Sequence, residues 1–586
     1  MHNVPRHAAA AHALTLTQML ATDAPSAASD VGPLLAHLLS RHEPTAVERF
    51  SQWQDNRRAG TLSRAAPEEE ARYRGLLPLT LPAPGEQYAF EVDLDACSGC
   101  KACVAACHQL NGLDAGESWR SVGLLHGGSD PLPVVQHVTT ACHHCLEPAC
   151  LQGCPVQAYE KDPVTGIVRH LDDQCFGCQY CLLMCPYDVP RYHAGLGIVR
   201  KCDMCRQRLA AGEPPACVQA SPHRAIRIPL VQREEVAEHA EANLFLPGAP
   251  EPAQTLPTTV YKTRRALPPN MLPADYYQAA PQHPHWPLVW MLILTQMSVG
   301  AFVLEQVVAA WMGGGVWGVA GRFQLLAALA LGLVGLAASV LHLGRPHLAY
   351  RAVLGWRRSW LSREVLAFAI FALLAGTWTC VRWEAPAVEA QAWQRWLGAG
   401  VCVAGMAGVF CSAMIYHSTR RPYWRLAYTA PRFGLSGVVL GAPLVLVIRL
   451  GAAWAAGHAP REVMEAAGTR LCLLLAAAGA AKLLGESLIF TALRGRTFTP
   501  MRRTAVLLAG PLGPLALQRF VLGVLGAVAI PGLLALGHAS AHPPGGLATS
   551  LAAVLALAAC VGGELLERAL FFRAVVAPRM PGGAAV

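Results

Sequence analysis

Residues 175–186 read CFGCQYCLLMCP, and the spacing of Cys175, Cys178, Cys181 and Cys185 decides how the first half of the chain folds. Residues 97–107, CSGCKACVAAC, carry the same spacing in Cys97, Cys100, Cys103 and Cys107. Two wider copies complete the set. CHHCLEPACLQGCP holds Cys142, Cys145, Cys150 and Cys154, and CDMCRQRLAAGEPPACVQASP holds Cys202, Cys205 and Cys217, with Ser221 where a fourth cysteine would stand. Of the 20 cysteines, 15 lie between Cys97 and Cys217. Phe90, Val92 and Leu94 alternate up to Cys97, and GIVRHLDDQC repeats the pattern before Cys175, so the repeating unit is a strand that feeds a cysteine turn.

Two-residue gaps let one tight turn aim three thiolates at a single iron–sulfur cubane. The fourth cysteine reaches a different cluster, and the proline after it stops the helix. This is the spacing of bacterial ferredoxins. CxxC pairs also build tetrahedral zinc sites, but two full runs of four and two Cys-Pro pairs exceed zinc spacing.

A chain of 586 residues exceeds one core, and its composition divides it. Residues 1–87 are polar and alanine-rich, a partly ordered extension with one expected helix at TAVERFSQW, where Thr45 and Glu48 would form a capping box. The cysteine domain spans 88–230, and a proline-rich, extended linker spans 231–285. From 286 to 586 run eight apolar segments, near 286–311, 321–343, 364–382, 396–416, 434–456, 468–490, 520–537 and 548–567. Each approaches the ~20 residues of a membrane-spanning helix. The expected fold is therefore an α+β ferredoxin-like four-cluster domain followed by an all-α polytopic bundle of about eight transmembrane helices. The net charge of +9 is no nucleic-acid footprint, because the arginines after Trp286 sit between apolar runs.

Topology follows from those arginines. Seventeen lie on the side of the cysteine domain, among them Arg345, Arg351, Arg357, Arg358, Arg420, Arg432, Arg519 and Arg568, against five on the other. The positive-inside rule then faces the cysteine domain toward the cytoplasm of a bacterial inner membrane. No export signal opens the sequence, which agrees, and in that reducing compartment dense cysteines favour metal over disulfides.

The cysteine motifs, joined to YKTRRALPPNMLPAD, WPLVWMLILTQMSVGAF and LHLGRPHLAYRAVLGWRRSWLSRE, resemble the electron-transfer and anchor subunits of dimethyl sulfoxide reductase-type molybdoenzymes, here fused in one polypeptide over roughly residues 88–575. The resemblance implies three 4Fe-4S clusters: Cys142, Cys145 and Cys150 with Cys185; Cys175, Cys178 and Cys181 with Cys154; Cys202, Cys205 and Cys217 with Cys107. A fourth joins Cys97, Cys100 and Cys103 to Ser221, as an oxygen-ligated 4Fe-4S or a 3Fe-4S cluster. It implies that motifs two and three lie nearer the membrane. It also implies a separate molybdopterin-containing catalytic subunit, which does the substrate chemistry, and a membrane quinone or quinol as redox partner in anaerobic respiration.

His342, ending the second span before LGRP, matches the family's quinone-binding histidine and would bond a quinone carbonyl and move its proton. Arg345 and Glu564 are the next quinone-site candidates. His342 with His417 as haem ligands is a weaker alternative, because no histidine lies deeper in the spans. Ionisable residues inside spans are costly. Glu305 is expected to pair with Arg449, Lys482 with Glu486, and Glu564 with Arg568. A rival reading makes these the pathway of a redox-linked ion transporter, and a third makes the clusters a redox sensor.

Overall fold

A computed structural model describes residues 51–52, 55–56, 75–78, 80–312, 317–384, 391–540 and 542–582. The chain divides into two compact units, Met1–Gly75 and Leu76–Val586. In the first, the described residues 51–52 and 55–56 are helical, and the capping box expected at Thr45 and Glu48 lies outside the described residues. Everything below concerns the second unit.

Its first part is built from short strands and short helices, because each cysteine motif is a turn that holds sulfur rather than a long element. Strand β1 (Glu86–Tyr88) is followed by β2 (Glu91–Asp93), the hairpin β3 (Ser121–Ser129) and β4 (Leu132–Thr140), and the small hairpins β5 (Tyr159–Lys161) with β6 (Val168–His170) and β7 (Arg191–His193) with β8 (Ile198–Arg200). Strands β9 (Ile226–Arg227) and β10 (Leu230–Gln232) return to pair antiparallel with β2 and β1. After the motif turns come helices α1 (Ala102–Leu110), α2 (Ala149–Gly153), α3 (Tyr180–Met184), α4 (Arg206–Ala210) and α5 (Ala216–Gln219).

The segment expected as an extended linker departs from that reading. It holds a nine-residue helix, Arg233–Glu241, and its later residues join the cluster sheets: Val260–Lys262 adds to β2 in parallel, and Leu272–Pro273 adds to β3. Its prolines keep it from a long helix and leave short stretches free for edge pairing.

Among the described residues, eight helices are long and apolar enough to cross a membrane: spans 1 to 8 are Trp286–Ala309, Ala320–Val340, Trp360–Glu384, Trp393–His417, Leu426–Ala455, Pro460–Arg494, Gly513–His538 and Gly546–Arg573. Spans 1 and 5 are central, with 72% and 67% of their apolar windows buried, against 28% for spans 2 and 8. They cross at glycine: a Cβ on Gly300 would lie 1.9 Å from the Gly437 carbonyl oxygen. Small residues permit that backbone approach, and close packing replaces the hydrophobic effect that lipid cannot supply. Spans 6 and 7 each contain one π-turn, Met464–Gly468 and Val524–Ala529.

Candidate functional site: a chain of cysteine cradles ending at the membrane

The four motifs share one backbone device. The residue two after the first cysteine is left-handed every time: Gly99 (φ 73°), His144 (φ 43°), Gly177 (φ 74°) and Met204 (φ 59°). Such a turn points successive backbone N–H groups at one place, which suits an anionic sulfur; the Met204 N–H, for example, lies 3.4 Å from the Cys202 sulfur. Glycine takes this conformation freely at two of the positions. His144 and Met204 take it inside buried surroundings that hold them there.

A second device follows the last ligand position. In CPVQA, CPYDV and SPHRA the fourth residue is left-handed: Gln157 (φ 56°), Asp188 (φ 54°) and Arg224 (φ 53°). The next N–H turns back on the first residue. Ala158 donates to the Cys154 sulfur at 3.2 Å, and Ala225 donates to the Ser221 hydroxyl at 3.0 Å. Ser221 therefore occupies the same loop, with the same N–H, as Cys154.

The fold brings the sixteen positions into four groups. Cys142, Cys145, Cys150 and Cys185 line one cavity, and Cys97, Cys100, Cys103 and Ser221 line another. Burial and then the neighbouring Cys217 and Cys205 push the Cys107 thiol up to about 12, which sets it with the fourth motif. Cys181 is raised by burial and then by Cys178, Cys154 and Cys175. Buried thiols that repel one another hold their protons unless cations compensate. Iron is such a cation, and its thiolate preference fits the three all-cysteine sets, while Ser221 offers the fourth a harder oxygen.

Buried side chains that sequence reasoning missed stand between the groups. Arg120 is 2% exposed. Burial disfavours its charge, but the thiols of Cys217, Cys103, Cys202 and Cys107 outweigh burial and hold it protonated, so it lies between the first and fourth motifs' groups. Lys201, 4% exposed, donates to the Cys202 carbonyl at 2.9 Å and lies 3.7 Å from the Cys142 sulfur. Tyr159 lies among Cys181, Cys150 and Cys154. The groups thus form a series: the Ser221 group, Arg120, the Cys107 group, Lys201, the Cys185 group, Tyr159, and the Cys154 group. A lone Arg or Lys between motifs gives no periodic signal, so only the fold reveals these bridges.

The Cys154 group meets the bundle. Gly177, between Cys175 and Cys178, packs against Gly344 and Gly197; a Cβ on Gly344 would lie 2.1 Å from the Gly197 carbonyl oxygen. The Gly355 N–H donates to the Pro155 carbonyl at 2.7 Å, and the Ser359 hydroxyl donates to the Gly153 carbonyl at 2.7 Å. Arg345 is part of this seam. Its backbone N–H donates to Phe176, and its guanidinium donates to the carbonyls of Leu196 at 3.2 Å and Asp172 at 2.9 Å.

His342, two residues before Gly344, has a buried Nδ1 without a hydrogen-bond partner. Desolvation holds its imidazole down to about 4, outweighing a backbone hydrogen bond with Ser339 that raises it, and nearby His285 adds to the lowering, so it is neutral at physiological pH. His285, which the sequence reading passed over, packs edge-on to Phe572. His417 has a different environment, accepting the Leu426 N–H on Nδ1 at 3.3 Å.

Glu564 is placed away from water altogether. It is 0% exposed and accepts from Lys482, from Ser436 at 2.7 Å and from Arg519 at 3.0 Å. Its expected partner, Arg568, donates instead to Glu567 at 2.6 Å, Gln296 at 2.7 Å and Ser436 at 2.8 Å. Four residues of separation put Glu564 and Arg568 on one face, but Lys482 and Arg519 from spans 6 and 7 reach the carboxylate directly. Glu486 pairs with Arg519 at 3.0 Å more closely than with Lys482 at 3.9 Å. Arg432, Arg519 and Arg568, counted from sequence as loop arginines, belong to this buried network. Glu305 and Arg449 do pair, at 2.5 Å, with Gln324 beside them.

Two families of known sequences match this chain: the 4Fe-4S dicluster domain over residues 134–230, and the DMSO reductase anchor subunit (DmsC) over residues 281–478. The B subunit of the anaerobic dimethyl sulfoxide reductase of Haemophilus influenzae is 36% identical over 150 residues, covering 24% of this chain and 73% of that relative. The corresponding B subunit of Escherichia coli is 36% identical over 148 residues, covering 24% and 72%. The hydrogenase-2 operon protein HybA of Shigella flexneri is 33% identical over 204 residues, covering 30% and 61%.

Proposed function

We propose, for a chain that belongs to the iron–sulfur B subunits of the dimethyl sulfoxide reductase family and continues into that family's membrane anchor, a relay between membrane quinol or quinone and a molybdoenzyme catalytic subunit. The chain is a multi-pass membrane protein with an iron–sulfur electron-transfer domain. The clusters supply one-electron carriers, and the protein's part is to hold, space and insulate them. Cys142, Cys145, Cys150 and Cys185 would ligate one cluster; Cys175, Cys178, Cys181 and Cys154 a second; Cys202, Cys205, Cys217 and Cys107 a third; Cys97, Cys100, Cys103 and Ser221 a fourth.

One observation carries the reading: the series of cysteine groups ends at Gly177, whose backbone touches Gly344, two residues from His342. Neutral His342 would accept a hydroxyl proton from a quinol on its imidazole. Arg345, with its guanidinium on two carbonyls of the cluster domain, would fix the seam rather than touch the quinone. Glu564, paired on both oxygens, would serve the bundle's architecture. The arginine excess on the cluster side supports a cytoplasmic orientation.

The test is quinol-driven reduction followed by electron paramagnetic resonance of the chain with its catalytic partner. Four cluster signals, reducible by quinol in the parent and not in His342→Gln, are expected. Full reduction of the clusters by quinol in the variant would remove His342 from the route.

A further inference from the structure

A cavity of about 380 Å³ lies where the iron–sulfur domain meets the cluster-side ends of spans 3 and 4. Its floor includes Gly153 and Tyr180, from the turns of motifs two and three, and its roof carries two cations, Arg358 and Arg420, with the His417 imidazole between them in sequence. No carboxylate lines it. Among the described residues, neither the Arg358 nor the Arg420 guanidinium has a hydrogen-bond or ion-pair partner. The buried charges around Lys482 and Glu305, by contrast, have their counter-charges beside them. Arg358 and Arg420 are exposed, and both line a cavity wall that carries no carboxylate. His417 accepts the Leu426 N–H on Nδ1, which leaves its Nε2 as a further donor.

The cavity sits at a membrane boundary. Trp360 begins span 3 and His417 ends span 4. Trp360 packs edge-on against Phe410, with ring centroids 6.2 Å apart, and carries Arg363 on its face at 4.3 Å. Phe410 is 47% exposed, and Met406 and Val403, spaced four and then three residues along the same helix face, are 52% and 63% exposed. An apolar stripe thus leads from the cationic cavity down the outer face of span 4.

We propose that the cavity holds the phosphate headgroup of an anionic phospholipid, with acyl chains along Phe410, Met406 and Val403. Basic pockets between helices on the positive side of a bundle take such headgroups, because the phosphate supplies the missing counter-charge and the stripe takes the chains. The bound lipid would bridge the anchor to the turns that hold the two middle motifs, so it would fix their spacing.

The experiment uses the full chain in its membrane complex. The complex is purified in mild detergent, and retained lipid is identified by native mass spectrometry, for the parent and for Arg358→Gln with Arg420→Gln. Both arginines are surface side chains, so folding and iron content should be unchanged. The parent should retain phosphatidylglycerol or cardiolipin in preference to phosphatidylcholine. The double variant should bind it about thirtyfold more weakly, from roughly 1 kcal/mol per arginine. Equal retention by parent and variant, or equal retention of phosphatidylcholine, overturns the proposal. Displacement by inorganic phosphate at the lipid's own affinity makes this a free-anion site and also overturns it. So does a raised KM for quinol in the variant with lipid retention unchanged, which would make the cavity a quinone pocket.

Discussion

In the iron–sulfur half, Arg120 and Lys201 are buried singly, each among thiols drawn from two cysteine groups. In the membrane half, Lys482, Arg432, Arg519 and Arg568 are buried together with Glu486, Glu564 and Glu567, and Ser436 and Gln296 complete the network. The first arrangement draws its counter-charge mainly from sulfur, with Asp203 acting on Lys201 as well. The second sets four cations among three carboxylates, so most of its charge is paired within the protein. A cation among thiols stays charged because iron-loaded sulfur remains negative, whereas a cation in hydrocarbon must bring its own carboxylate. The difference teaches that the wire depends on its metal, and the anchor depends on pairing between helices.

The largest effect should come from opening the paired network. Glu564→Leu leaves Lys482 and Arg519 facing a missing carboxylate, and should cost about 3–5 kcal/mol. Thermal unfolding in nanodiscs would measure it. Removing Lys482 and Glu564 together, as Lys482→Met with Glu564→Leu, should cost less than Glu564→Leu alone; a double variant worse than both singles would show that the pair is not a unit.

Next comes the seam between the halves. Gly344→Ala places a Cβ 2.1 Å from the Gly197 carbonyl oxygen, so the anchor must move off the Cys154 group. Quinol-driven cluster reduction should slow, with iron per chain unchanged. Stopped-flow absorbance of the clusters reads the rate, and an unaltered rate would mean that this contact does not set the distance.

The His342 imidazole gives a pH signature of intermediate size. Its pKa is held at about 4 in the folded state, below the ordinary value near 6.5. Between these values the unfolded chain binds the proton that the folded site refuses, so stability is full above about pH 6.5 and falls as pH drops toward 4. Denaturation across pH 4–7 should show this slope in the parent and lose it in His342→Gln. A slope that survives the substitution belongs to other groups.

The smallest structural change should be Ser221→Cys. Because Ser221 already shares the loop of Cys154, down to the N–H of Ala225, the sulfur should enter without rearrangement. Electron paramagnetic resonance should gain an ordinary fourth 4Fe-4S signal, with stability altered by less than about 0.5 kcal/mol. An unchanged spectrum would mean that Ser221 does not bear on that cluster.

Legibility in the sequence followed the range of the interactions. The cysteine spacings, the strand before Cys175 and the eight apolar runs are local patterns, and a chain read in order exposes them. The pairing of Glu305 with Arg449 was also foreseeable, since both are stranded at one level of their spans. The partner of Glu564 was not, because an i to i+4 rule describes one helix, while the carboxylate is claimed by spans 6 and 7. Arg345 illustrates the same limit: it was named from sequence as a quinone-site candidate, and its guanidinium's carbonyl partners, about 150 and 170 residues away, could not be read there.

The sequence by itself determined the chemistry on offer: where thiols stand at metal-ligand spacing, where the chain becomes membrane, and that position 221 carries oxygen in place of sulfur. Only the tertiary structure decided the order of the groups, the buried Arg120 and Lys201 between them, and the touch of Gly177 on Gly344 that brings His342 to the end of the series. The reason is physical. Ligand type and hydropathy are properties of residues and short spacings, whereas order, bridging and contact arise when distant segments compete for the same buried space.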